Sequence, residues 1–445
     1  MLEVLNTLLW GLGTLALILG TGAWLTLRTG GFPQRNLGRA LALSLGREAR
    51  RKGRGGVSPF GSLMTALAST VGTGNIVGVA AALVSGGPGA LVWMELAALL
   101  GLASKFAECM LAVKYRRVRR DGTRWGGPMA VMETRLGSAG AVLGRFYALF
   151  ALLMAFAMGA MAQSGALADT FSAAFTLPRW RVGLVTAALA LTILLGGIRR
   201  IADISTVLVP VMALLYLGGG LAVILGNLRR LPEAVTLMLR CAVASEAALG
   251  GALGIVTRRE ALRWGVARSV FSNEAGLGSA AITAACADTE DPVRQGLISM
   301  TGVFFDTMVI CAVTGLAICC SGTLGAADGN GRPLTGAALT LRAFETVLGP
   351  LAPWLIGVAL GLFAFTSVLG CAVQAETTAS YLLGPEAARP CRVLYGLAVF
   401  AGAVIPMATV LQLADLANAL MAFPNLVCLL LLSDEIAGEC RRKDR

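Results

Sequence analysis

The strongest constraint in this sequence is a repeat of apolar runs about twenty residues long, the length a helix needs to cross the hydrocarbon core of a bilayer. Eleven such spans can be read, at about 6–27, 58–84, 88–113, 144–175, 181–197, 203–226, 234–256, 295–320, 350–383, 392–409 and 411–433. Lipid cannot satisfy a bare backbone, and barrel strands are only about ten residues long, so runs of this length are helices. The expected fold class is an all-α membrane protein with eleven transmembrane helices. Composition agrees: 56% of residues are hydrophobic and 14% charged, where soluble domains carry about 25% charged residues. The first run follows acidic Glu3 instead of a basic leader, so it is expected to span the bilayer and not to be cleaved. The stretches at about 28–57, 114–143 and 257–294 read as connections, leaving one polytopic membrane domain over residues 1–445.

A formal net charge of +12 would suggest nucleic acid for a soluble protein, but here its distribution is a topology signal. Arg28, Arg35, Arg39, Arg47, Arg50, Arg51, Lys52 and Arg54 follow the first span, and Lys114, Arg116, Arg117, Arg119, Arg120, Arg124 and Arg135 follow the third. Arg258, Arg259, Arg263 and Arg268 follow the seventh, and Arg441, Arg442, Lys443 and Arg445 the last. Odd-numbered spans all end on one side, and the positive-inside rule makes that side the cytoplasm. The N-terminus is expected outside a plasma (inner) membrane, with residues 434–445 a cytoplasmic tail and no nucleic-acid partner. No histidine occurs, which removes Ser-His and Cys-His catalytic pairs, H-E-x-x-H zinc sites and histidine-ligated haem. The ten cysteines include no C-x-x-C pair and read as small buried apolar side chains. The chain is not expected to be an enzyme or to need an organic cofactor.

Glycine is in excess, 56 residues of 445, against about 7% on average. Span 2 carries Ser69-Thr70-Val71-Gly72-Thr73-Gly74-Asn75-Ile76 near its middle, and span 7 carries Gly250-Gly251-Ala252-Leu253-Gly254. Each glycine costs a helix about 1 kcal/mol against alanine, and non-helical backbone at membrane depth persists only where protein or a cavity satisfies it. Close packing through small residues would explain span 2 alone. A second break five spans later points to an inverted-repeat transporter, with residues 58–226 and 234–433 as the repeats and 1–57 an added N-terminal helix and connection. The inner half of span 2 ends near Val71 and offers free carbonyls to a cation. Its outer half starts near Gly74 and offers free N–H groups and a positive dipole end to a carboxylate. The outer half of span 7 ends near Leu249, its carbonyls suited to an ammonium group. A small zwitterion travelling with a cation fits these groups.

Several stretches carry a more specific resemblance: Ser58-Pro59-Phe60, Met64 through Ile76, Gly86-Gly87-Pro88-Gly89-Ala90, Lys105-Phe106-Ala107-Glu108, Gly126-Gly127-Pro128-Met129, Phe271 through Ala280 and Ala414-Asp415-Leu416. In this order, over nearly the whole chain, they resemble the alanine or glycine:cation symporters (sodium:alanine symporters) of the amino acid–polyamine–organocation superfamily. The resemblance implies a leucine-transporter-like 5+5 inverted repeat plus one extra N-terminal helix. It also implies import of a small neutral amino acid, alanine or glycine in either enantiomer where chiral, driven by Na⁺. H⁺ coupling is the alternative, and a passive channel a more distant one. By the same resemblance the substrate meets Gly72, Thr73, Gly74 and Asn75, with Gln163 lining the pocket and Ala248, Leu249, Gly250 and Leu253 facing it from span 7. Na⁺ would be held by the Ala68 and Val71 carbonyls and the Thr366 and Ser367 hydroxyls, all hard oxygen ligands.

Two departures stand out. Ala130-Val131-Met132 replaces the tyrosines usual after Gly-Pro-Met, and Cys371-Ala372-Val373-Gln374-Ala375-Glu376 replaces an aromatic-rich Trp-Ser-Tyr-Tyr-Gly-Glu, which would enlarge the pocket. Acids inside spans are costly and functional by default. Glu376 and Asp306 match family positions and are candidates for gating or proton coupling. Ser272-Asn273-Glu274 is expected in a cytoplasmic connection, and Lys105 is expected to snorkel.

Overall fold

The computed structural model describes residues 9–52, 57–118, 122–244, 246–249, 254–329 and 331–444. After α1 (Leu12–Arg28), two short helices, Phe32–Arg35 and Leu37–Leu45, lead to the broken element. α2 (Pro59–Thr70) starts with proline at its first position, and the Ser58 hydroxyl accepts the Gly61 N–H at 3.0 Å. Both are N-terminal signals. The helical ladder runs as far as the Val71 N–H, which donates to the Leu67 carbonyl at 2.7 Å. Gly72 is then extended, Thr73–Asn75 makes one tight turn, and α3 (Val77–Gly86) leaves at 62° to α2. The expected break in span 2 is therefore present.

α4 (Gly89–Lys114) returns along α3. α5 (Gly137–Met154) and α6 (Gln163–Phe175) form one rod through a π turn, Ala155–Ala162, followed by α7 (Arg179–Leu194), α8 (Gly197–Gly226) and α9 (Leu231–Val243). A hairpin, β1 (Glu246–Leu249) and β2 (Gly254–Thr257), precedes α10 (Arg258–Asn273) and α11 (Ser279–Ala285). α12 (Pro292–Val303) and α13 (Ala312–Ser321) are joined by a second π turn, Phe304–Cys311. α14 (Gly336–Leu348), α15 (Ala352–Leu383), α16 (Ala388–Val404), α17 (Met407–Leu431) and α18 (Ser433–Asp444) complete the chain. α18 is docked by Lys114, whose ammonium lies 2.7 Å from both Glu435 and Glu439.

Among the described residues seven helices are long and apolar enough to cross a membrane, eight with the bent α2–α3 pair as one span. α1 and α7 coincide with expected spans but have only 17 and 16 residues. Large apolar side chains such as Leu153, Leu189, Val207, Leu214 and Leu225 lie exposed along α5, α7 and α8, an exterior that suits lipid.

Span 7 is where the sequence reading fails. The helix expected over 234–256 ends at Val243, where Ala244 turns extended, and the chain enters the β1–β2 hairpin. The second broken helix lies further on, in the expected connection. Trp264 and the Glu260 carbonyl pack at Gly86, and Ala287 and Asp288 reach Arg116 and the Val57 carbonyl at the opposite end of α2–α3. α10–α11 thus runs antiparallel to α2–α3 through the same thickness, packed on α4 throughout. Its break is Glu274–Gly278, where Glu274, Gly276 and Gly278 have φ of 54°, 92° and 77°. Hydropathy misses this element because α10 carries Arg258, Arg259, Glu260, Arg263 and Arg268. Charged side chains at membrane depth are tolerated where they face protein or a water-filled cavity and not lipid.

Candidate functional site

The two breaks meet at the π turn Phe304–Cys311. In the first break, the Asn75 carboxamide oxygen accepts the Gly72 N–H at 3.0 Å. Its Nδ2 donates to Asp306 Oδ1 (2.8 Å), the Asp306 carbonyl (3.1 Å) and Ser272 Oγ (3.1 Å). In the second, Asn273 Oδ1 accepts the Ala275 N–H at 2.9 Å, and its Nδ2 donates to Thr307 Oγ1 at 3.0 Å. Each break is therefore closed by an asparagine that also ties it to neighbouring residues of one π turn. A π turn frees a backbone carbonyl and redirects side chains, and here it supplies both the carbonyl and the carboxylate of Asp306. Ser272 Oγ and Thr307 Oγ1 donate to Asp306 Oδ2 at 2.6 and 3.1 Å, which fills that buried carboxylate with donors. Ser272-Asn273-Glu274, expected in a cytoplasmic connection, is thus part of this buried centre. Asn75 is fully buried, with its carboxamide engaged on both sides.

The opposite wall of the first break comes from α6 and α15. The other π turn ends at Ala162 and delivers Gln163, whose Oε1 accepts from Thr73 Oγ1 at 3.3 Å. A Cβ on Gly72 would stand 2.8 Å from Ser367 Oγ and 3.5 Å from Gln163 Nε2. Ser367 is fully buried, and its hydroxyl has no hydrogen-bond partner among the described residues. The donor that would have closed the Ala68 carbonyl in a continuous helix, the Gly72 N–H, is taken by Asn75. α15 reaches this point because Gly370 lets it touch α2: a Cβ there would lie 2.4 Å from the Ser69 nitrogen. One turn on, Gln374 Nε2 donates to Ser69 Oγ at 3.3 Å.

The remaining expected site residues fall elsewhere. Thr366, next to Ser367, turns its hydroxyl onto the Leu362 and Phe363 carbonyls of its own helix, beside Met212. Gly74 faces the ring of Phe271. Ala248 and Leu249 lie in β1, paired with Ile255 and Gly254, on a hairpin beside α3, α9 and α10. That is a correction to a helix end there, since helix α9 has already stopped at Val243. Gly250 and Leu253 lie outside the described residues. Glu376 is held by Arg392, whose Nε and Nη2 donate to its two oxygens at 2.8 and 2.6 Å, a fork that fixes the carboxylate.

Composition gave no hint of a buried charged group behind the second break. Lys105 is 2% exposed and does not snorkel, and its ammonium has no hydrogen-bond partner among the described residues. It lies close enough to Glu108, Glu274 and Asp306 to feel their charges. Ser279 Oγ donates to Glu274, and Asn425 Nδ2 donates to Glu108 Oε1 and the Gly276 carbonyl at 2.8 and 2.9 Å. The KFAE and NEAGLGS stretches, which carried the resemblance, are thus two sides of one structure.

Two helices broken at the same depth, antiparallel and closed on each other inside an apolar helical bundle, define a multi-pass membrane transporter. The model of the sodium:alanine symporter family matches residues 1–442, and the chain belongs to that family. A transporter of Haemophilus influenzae carried as uncharacterized is 43% identical over 99% of this chain and 95% of its own. The sodium/alanine symporter AgcS of Methanococcus maripaludis is 40% identical over 99% of this chain and 96% of its own. The probable sodium/glutamine symporter GlnT of Bacillus subtilis is 36% identical over 97% and 87%. Among solved structures, an Eremococcus coleocola manganese transporter in complex with an aromatic bis-isothiourea compound superposes with a TM-score of 0.52 at 15% identity, covering 83% of this chain and 75% of that one. It shares the fold.

Proposed function

We propose that this protein imports a small neutral amino acid, alanine or glycine, driven by a Na⁺ gradient, through the break of α2–α3. The observation that carries the reading is Ser367: a fully buried hydroxyl without a partner among the described residues, set against Gly72 and beside a helix end whose Ala68 carbonyl has lost its N–H. A buried hydroxyl left unmatched costs about 1–3 kcal/mol, and a hard cation is the ligand that hydroxyl and carbonyl oxygens satisfy together. The Ala68 and Val71 carbonyls and the Ser367 hydroxyl are the proposed Na⁺ ligands. Thr366 joins them on a change of its side-chain rotamer. The substrate carboxylate is read at the Gly72–Asn75 turn, with Thr73 and Gln163 as its side-chain contacts and Asn75 as the residue that shapes the turn. The relatives named for alanine and for glutamine both favour a neutral amino acid.

In this reading α10–α11 is the counterpart of α2–α3, with the repeats in 58–226 and 234–433 and the N-terminal helix added. The N-terminus is outside and the C-terminus cytoplasmic, on the strength of the basic clusters after α1, after α4 and in α18; Arg258, Arg259 and Arg263, expected with them, fall at the opposite end, beside Gly86. H⁺ remains the second candidate ion, since Bacillus subtilis YrbD, 33% identical, is named as a putative sodium/proton-dependent alanine carrier. The test is Ser367→Ala in proteoliposomes. Losing one oxygen ligand is expected to raise the Na⁺ concentration for half-maximal uptake by about tenfold, equivalent to about 1.4 kcal/mol. Thr366→Ala, whose hydroxyl is tied to its own helix, is expected to shift it less. Unchanged Na⁺ dependence in Ser367→Ala removes the ion site.

A further inference from the structure

A separate cavity of about 210 Å³ lies between α10 and α17, walled by Trp264, Arg268 and Phe271 on one side and Asp415 on the other, with Trp10 across its edge. It sits directly over the first break. The Phe271 ring lies 3.9 Å from where Gly74 would carry a Cβ, and Arg268 Cδ lies 3.8 Å from the same point on Gly78. Phe271 is thus the partition between this cavity and the Gly72–Asn75 turn.

The charges in it are unusual. The Arg268 guanidinium stacks over the rings of Trp264 and Phe271, 5.7 and 5.4 Å from their centroids. Asp415 is near enough to interact with it electrostatically. Yet they form no ion pair within 4.0 Å, and neither charged group has a hydrogen-bond partner among the described residues. Trp10 Nε1 donates to the Asp415 backbone carbonyl at 2.9 Å, which leaves the carboxylate itself available. Two opposite charges, partly withdrawn from water and facing one cavity without meeting, are each costly until paired. A molecule bearing both a carboxylate and an ammonium group satisfies both at once. The aromatic faces add a dry wall for a short side chain and an attractive surface for a cation. The volume is below the ~300–1,000 Å³ of drug-sized sites, which limits the occupant to a small molecule.

We propose that this cavity is a second binding site for the transported amino acid, a vestibule one step from the central site, in which Arg268 takes the carboxylate and Asp415 the ammonium group. The assignment rests on the amino-acid substrate proposed above. It makes Arg268 and Asp415 specificity residues that admit zwitterions and turn away molecules carrying only one of the two charges.

The experiment is equilibrium binding of radiolabelled alanine to the full chain in lipid nanodiscs with Na⁺, read as alanine bound per protein. The wild type is expected to bind two, and Arg268→Gln and Asp415→Asn one each. Ser367→Ala is expected to need about tenfold more Na⁺ to fill the central site and to keep the vestibule unchanged. One alanine in the wild type, two in Arg268→Gln, or none in Arg268→Gln each overturns the vestibule, the last because Arg268 would then serve the central site. No alanine bound by the wild type overturns the functional reading itself, and the vestibule with it.

Discussion

Asn75→Leu is expected to abolish uptake and to lower the thermal stability of the protein together. Leucine keeps the branched shape of asparagine, so hydrogen bonding is the main thing that changes. The Gly72 N–H loses the carboxamide oxygen that accepts it, and Asp306 loses one of the three side chains that donate to it. An unmatched buried group costs about 1–3 kcal/mol, and depriving a buried charge of a partner costs about 3–5 kcal/mol. That is a large part of a folded protein's margin of about 5–15 kcal/mol. Asn75→Asp should fare no better, since it sets a second carboxylate against Asp306 at the position now 2.8 Å away. The measurement is alanine binding alongside melting temperature in detergent. Loss of binding with an unchanged melting temperature would show instead that Asn75 acts by touching substrate and not by holding the break.

Gly370→Ala tests the contact between α15 and α2. The added Cβ would lie 2.4 Å from the Ser69 nitrogen, 2.8 Å from its Cα and 2.9 Å from the Ala68 carbonyl carbon. These neighbours are backbone, so no side chain can swing aside and the two helices must separate. Overpacking of this kind costs about 1–3 kcal/mol, occasionally more. It also moves Ser367 away from the Ala68 carbonyl, so Na⁺-stimulated uptake is expected to fall by at least about tenfold. Gly74→Ala is the contrasting variant, because its Cβ meets only Phe271 at 3.9 Å, ordinary contact distance. Equal loss in both variants would mean that the break, and not the α2–α15 contact, is the sensitive feature.

The first break was legible in the sequence because glycine and asparagine interrupt an apolar run whose helical character is otherwise plain. Long apolar helices such as α8 and α15 were legible for the same reason. The second break was not. The glycines at 250, 251 and 254 sit in an apolar stretch and imitate the first break. The true partner, Glu274–Gly278, lies in a helix pair whose charges suggest a soluble connection. Arg268 and Glu274 are tolerated there because protein surrounds them, a fact of tertiary packing that local composition does not encode. Lys105 was misread by the same route: a lysine within reach of a helix end ordinarily snorkels, but this one is buried within electrostatic reach of Glu108 and Glu274. The role of the π turns is also invisible in sequence, since neither Ala155–Ala162 nor Phe304–Cys311 carries a proline or a distinctive motif. The family resemblance did better than hydropathy here, because it singled out Phe271 through Ala280 before any reason for that stretch was apparent.

The absence of histidine takes on a specific meaning in this site. Its polar groups are amides, hydroxyls, carbonyls and a carboxylate already supplied with three donors, a set that matches a metal cation better than a proton passed from group to group. The most direct measurement is uptake of radiolabelled alanine into proteoliposomes under an inward Na⁺ gradient at equal pH on both sides. Accumulation above the external concentration, collapsing when a Na⁺ ionophore is added, is the predicted result. Mere equilibration, or accumulation driven by a pH gradient in Na⁺-free buffer, would contradict it.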